Sequence, residues 1–188
     1  MDEIVKKIEQ EKIIAIVRGV AKDKIIPLAQ AMYRGGVRLI ECTFDASGKI
    51  SEEETASNIE TLVKYFGSEM VVGAGTVLTE KQVEFTKEAG GRFIISPDTN
   101  IDVVKKTREL GLVSIPGALT PSEITLAVRN GANFVKIFPV SAVGGINYVK
   151  AVSAPLSHVK FLAVGGVNVN NIADYLRAGF QGVGIGNG

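Results

Sequence analysis

Residues 120–140 read TPSEITLAVRNGANFVKIFPV, and that stretch holds the whole architecture in miniature. Its first part, TPSEITLAVRNG, carries apolar residues at helical spacing and ends on glycine, the residue that lets a helix end turn through a left-handed conformation. Its second part, NFVKIFPV, is short, apolar and β-branched, as expected of a strand buried on both faces of a parallel sheet. One charge interrupts it. Lys136 stands where a buried strand has no structural use for an ammonium group.

The same unit recurs along the chain. A short opening helix at about residues 2–10 precedes the strand KIIAIVRG. KIIPLAQAMYRGG then leads to VRLIECTF, SEEETASNIETLVKYFG to MVVGAGTV, and TEKQVEFTKEAGG to RFIISPD. NIDVVKKTRELG leads to LVSIPGAL, the opening stretch follows, and INYVKAVSA with KFLAVGGV and VNNIADYLRAG with GVGIGN complete the series. The pattern predicts eight strands separated by seven helices. Strict alternation with short joins requires a parallel sheet covered by helices. Eight strands is also the number at which a closed barrel is just filled by its own side chains, so the expected fold is α/β, a (β/α)8 TIM barrel, in one domain over residues 1–188. An open doubly wound sheet is the competing architecture. Against it, VRGV after the first strand is no GxGxxG turn. The helix expected after strand eight is missing from the sequence as it ends at Gly188, which would leave apolar barrel surface for another subunit to cover.

Composition narrows the partners. Lys plus Arg number 21 and Asp plus Glu 20, scattered along the chain, so no basic stripe points to nucleic acid or a membrane surface. No apolar run approaches the ~20 residues of a membrane span. The single cysteine, Cys42, has no intramolecular disulfide partner, and no signal-like segment leads the chain, which points to the cytoplasm. His158 is the only histidine and precedes strand seven, away from the expected active end, so neither a metal centre nor a cofactor is expected.

Barrel chemistry gathers at the carboxyl ends of the strands. Late in the strands come Arg18, Glu41, Thr43, Thr76, Ser96, Pro116 and Lys136. Alternation puts Leu39, Glu41 and Thr43 on the inner side of strand two and turns Cys42 toward the helices. It likewise groups Phe134, Lys136 and Phe138, which sets the ammonium at the mouth beside Glu41 and Thr76, with lysine and glutamate on adjacent strands. Lys12 and Lys160 begin their strands and belong to the opposite rim. A lysine walled by phenylalanines loses hydration of its charge, its pKa falls, and the neutral amine becomes a nucleophile toward carbonyl carbon. Glu41 is either its ion-pair partner or a general acid/base, and the two roles are compatible. A carboxylate neighbour raises the lysine pKa while burial lowers it, and the sequence leaves the winner open. Candidate substrate contacts are Arg18, Thr43, Thr76, Pro97 and Phe138. The turns VGGV and GIGNG expose backbone amides where such barrels hold phosphate, which nominates Gly165, Gly166, Gly186 and Asn187.

At LIECTF, VVGAGTV, FIISPD, IPGALTPSE, FVKIFPV and VGGVN, in that order, the sequence resembles the 2-keto-3-deoxy-6-phosphogluconate (KDPG) aldolase family, also called 4-hydroxy-2-oxoglutarate aldolases. The resemblance runs from about Lys12 to Gly186. It implies a trimeric barrel and a class I aldolase that splits a 2-keto acid aldol into pyruvate and an aldehyde, with Lys136 as the Schiff-base lysine, Glu41 as the acid/base and Thr76 on the pyruvyl carboxylate. Three positions depart from the family pattern. Asp45 stands where many members have a carboxylate-gripping arginine, an anion expected to repel substrate and to pass the task to Arg18. Val164 replaces a threonine, and Asn187 replaces a serine of the phosphate turn. Two other readings compete on the same residues: a phosphosugar isomerase or epimerase that needs no imine, and a non-catalytic binding or assembly barrel.

Overall fold

The computed structural model describes residues 1–186. Strands β1 (Ile13–Val17), β2 (Leu39–Thr43), β3 (Val71–Gly75), β4 (Phe93–Ile95), β5 (Val113–Ile115), β6 (Gly117–Ala118), β7 (Val135–Ile137), β8 (Phe161–Val164) and β9 (Gly182–Ile185) pair in parallel. Helices α1 (Asp2–Glu11), α2 (Lys22–Arg34), α3 (Glu52–Phe66), α4 (Glu80–Glu88), α5 (Ile101–Glu109), α6 (Pro121–Arg129), α7 (Gly145–Ser153) and α8 (Ile172–Arg177) alternate with them. Among the described residues no helix is long and apolar enough to cross a membrane.

The expected fifth strand, LVSIPGAL, is broken at Pro116 into β5 and β6, because proline has no amide hydrogen for the ladder. These two pieces are also the ends of the sheet, whose order is β5-β4-β3-β2-β1-β9-β8-β7-β6. The break therefore closes the barrel. Carbonyls of Ser114, Pro116 and Ala118 accept in turn from the amides of Phe134, Lys136 and Phe138, at 3.3, 2.9 and 3.4 Å. So the strand that carries Lys136 is held against the kinked one by three alternate carbonyls.

Helix α6 shows how the local sequence starts each unit. Thr120 accepts from the Glu123 amide at 3.3 Å and the Glu123 carboxylate accepts from the Thr120 amide at 2.7 Å, a reciprocal cap with Pro121 in the first turn. Past its end, Gly131 takes φ 99°, the left-handed turn that feeds the chain toward β7.

Two apolar layers lie between sheet and helices, one under α2–α5 and one under α6–α8. A third fills the barrel itself with Ile14, Leu39, Phe93, Val113, Phe134 and Leu162. Ile4 and Ile8 of α1 join that inner cluster, so the opening helix plugs the amino end of the barrel. With that end shut, the interior opens at the carboxyl ends of the strands.

Candidate active site

Glu41 is registered beside Ile16 on β1 and Gly73 on β3, and Lys136 beside Gly117 on β6 and Leu162 on β8. In the sheet order β2 and β7 are separated by three strands, so the pair faces across the barrel and does not occupy adjacent strand mouths. Alternation within a strand is readable from sequence; which strands face one another depends on closure. Both groups are deeply buried, with Glu41 4% and Lys136 6% exposed. Among the described residues neither side chain is hydrogen-bonded, and no Glu41–Lys136 ion pair forms within 4.0 Å.

Burial wins the contest over the lysine. Desolvation lowers the Lys136 pKa from 10.5 to about 8, against the opposing pull of the Glu41 carboxylate and with help from the Arg18 guanidinium. Desolvation likewise lifts Glu41 from 4.5 to about 7, although Lys136 and Arg18 both pull it down. An amine and a carboxyl group that both titrate near neutrality can exchange protons with a substrate without strongly favouring one state. The Lys136 ammonium also lies 4.5 Å from the centroid of the Phe138 ring, which contacts its charged form through the ring face.

Arg18 is exposed at the end of β1 and donates from Nη2 to Thr76 Oγ1 at 3.2 Å, bridging the mouth over β2. Thr76 has φ 54°, so it leaves the alternation of β3 and turns into this bridge. Thr43 is buried and donates to the Val17 carbonyl at 3.2 Å. Pro97 lies half-buried after β4, with its carbonyl against Gly117. A cavity of about 380 Å³ is lined by Arg18, Phe138, Val164, Gly165, Gly166 and Gly186 among others, and neither Lys136 nor Glu41 is part of its lining. Phe138 belongs to both its wall and the lysine's surroundings. Gly165 and Gly166 have φ 91° and 82°, and a side chain on Gly166 would strike Ser141, so this turn requires glycine. Asn187 lies outside the described residues.

Asp45 is an anion, as expected, and its carboxylate is held by its own loop. Its carboxylate accepts from the Ser47 hydroxyl at 2.7 Å and from the amides of Ser47, Lys49 and Ile50 at 2.9, 2.9 and 3.1 Å. Those bonds hold its pKa down to about 2 and tie the anion into the loop after β2. Cys42 is buried under the helices with its thiol pushed up to about 12, and His158 is exposed between α7 and β8, at the amino ends of the strands. Lys160, also on that rim, pairs with Glu9 at 2.7 Å.

Two residues escaped the sequence reading. Asn168 is a polar side chain of the 380 Å³ cavity, visible only once the loop after β8 is folded. Gly75 is the other: built on its backbone, a Cβ would lie 2.0 Å from Glu41 Oε1. Its signal was present in GAG, two glycines at inward-facing positions of one strand.

The family model described as "KDPG and KHG aldolase" matches residues 4–187. The chain belongs to the KDPG and KHG aldolase family. This family consists of Schiff-base, class I aldolases. Among its relatives, the 2-dehydro-3-deoxy-phosphogluconate aldolase of Haemophilus influenzae is 32% identical over 93% of this chain and 79% of its own. A probable 2-dehydro-3-deoxy-6-phosphogalactonate aldolase of Rhizobium meliloti is 34% identical over 99% and 85%. Among solved structures, the KDPG aldolase of Legionella pneumophila, with pyruvate captured as a covalent carbinolamine, superposes with TM-score 0.83 at 31% identity over 94% of this chain and 82% of that one.

Proposed function

We propose that this aldolase breaks and forms the bond between a pyruvate unit and an aldehyde through an imine on Lys136. The neutral amine adds to the C2 carbonyl of the 2-keto acid, and loss of water from the carbinolamine yields the iminium. Glu41 takes the proton of the C4 hydroxyl, the C3–C4 bond breaks, the aldehyde leaves, and the electron pair is stored as the enamine. Glu41 then returns a proton to C3, and water releases pyruvate from the lysine. Arg18 and Thr76 are suited to grip the carboxylate, with Thr43, Pro97 and Phe138 shaping the pyruvyl end. Gly165, Gly166 and Gly186 receive the far end of the aldehyde, where a phosphate is the fitting group. The observation that carries this reading is a lysine buried to 6% exposure whose pKa falls to about 8 with a buried carboxyl group across the barrel.

The gluconate and galactonate names of the relatives differ in sugar configuration, so the natural aldol is assigned only to the class of 2-keto-3-deoxy acids. We infer a single barrel domain that works as a homotrimer in the cytoplasm, in keeping with the family and with a lone, buried thiol. Borohydride reduction in the presence of pyruvate, followed by peptide mass spectrometry, tests the chemistry. A reduced pyruvyl adduct on Lys136, absent from Lys136→Met, is expected; a folded protein that traps nothing overturns the proposal.

A further inference from the structure

We propose that Gly75 is a positioning residue for the reaction: the space left by its missing side chain is the socket that holds the Glu41 carboxylate. The inference rests on Glu41 being the acid/base of the proposed mechanism. Gly75 ends β3 and shows no positive φ, so its backbone does not call for glycine. Space does. A Cβ there would meet Glu41 Oε1 at 2.0 Å, Glu41 Cδ at 2.6 Å and Thr43 Cγ2 at 3.1 Å.

The register explains why the socket is at Gly75. Glu41 is paired with Gly73, but the space over Gly73 is occupied by the Phe93 ring, within 2.4 Å of a Cβ built there. The Glu41 side chain therefore leans one pair toward the mouth and comes to rest over Gly75, the residue paired with Thr43. Phe93 closes the way back into the barrel and Thr43 borders the socket on its own strand. Among the described residues no hydrogen bond holds the Glu41 carboxylate, so shape fixes it and both oxygens stay free for the proton traffic of the reaction.

Gly75→Ala would force the carboxylate to move by about 1 Å, a displacement that costs on the order of 100-fold when a catalytic group is misplaced. The expected result is a folded variant that still yields the pyruvyl adduct on Lys136, with kcat for aldol cleavage down about 100-fold and KM nearly unchanged. The acidic limb of its pH–rate profile should shift away from that of the parent, which a purely structural defect would not cause. Shortening the acid relieves the contact, so Glu41→Asp/Gly75→Ala should match or exceed Glu41→Asp alone. If Gly75→Ala does not fold, a folded double variant with the activity of Glu41→Asp supports the socket equally. Full activity in Gly75→Ala, purely multiplicative losses in the double variant, or failure of both to fold would overturn it. Absence of the adduct from the parent protein would instead remove the aldolase chemistry and is distinguishable on that ground.

Discussion

The free amine of Lys136 makes the sharpest prediction, because its charged neighbours act on it in opposite directions. Burial sets its pKa at about 8, Glu41 raises it, Arg18 lowers it, and Asp98 adds a smaller upward pull. At pH 7 a lysine of pKa about 8 is roughly one-tenth neutral, whereas one of pKa 10.5 is neutral about once in three thousand molecules. The gain is therefore about 300-fold in nucleophile, worth about 3 kcal/mol. Glu41→Gln removes the attraction for the ammonium and must move the Lys136 midpoint down. Arg18→Ala removes a repulsion and must move it up. Competitive acetylation with a trace of labelled anhydride across pH 6–11, read peptide by peptide, reports the midpoint directly without requiring turnover. A parent midpoint near 10.5, or a shift of the same sign in both variants, would refute the account of how this amine is activated.

Two further perturbations probe stability. The folded pKa of Lys136 lies below its unfolded value, so the stability associated with the neutral amine is present above pH 10.5 and lost as pH falls through about 8. Lys136→Met escapes that loss: it should melt higher than the parent at pH 7, by about 2–4 °C per kcal/mol recovered, with the advantage shrinking above pH 8; equal melting temperatures at pH 7 would count against a desolvated charge. Ile8 is fully buried where α1 plugs the barrel, so Ile8→Ala should cost about 2–5 kcal/mol in urea unfolding while leaving adduct formation on Lys136 intact.

Period and punctuation alone carried much of the architecture. Glycine-ended helical segments alternating with apolar runs gave each unit its place, and period-two alternation sent Glu41 inward and Cys42 under the helices. These features are local, since a helix turn or a pleat is set by residues within a few positions of one another. Lys136 stood out for the same reason, as a charge in a run with no room for one. Asp45 is legible from sequence as an anion, but its ties to the amides of Ser47, Lys49 and Ile50 are not, because they depend on the fold of the loop after β2.

What the chain order could not contain was everything set by closure. Pro116 reads as a strand breaker, yet its carbonyl joins the two ends of the sheet and anchors the lysine strand. Glu41 and Lys136 face each other across the barrel although they lie 95 positions apart, and only the curvature of the closed sheet makes opposite strands face each other. The balance of their pKa values follows from the same cause: charge–charge attraction is pairwise, but desolvation is a property of the whole packed surroundings. The socket at Gly75 belongs with these, because an empty volume acquires meaning only when a neighbouring strand brings a carboxylate to fill it.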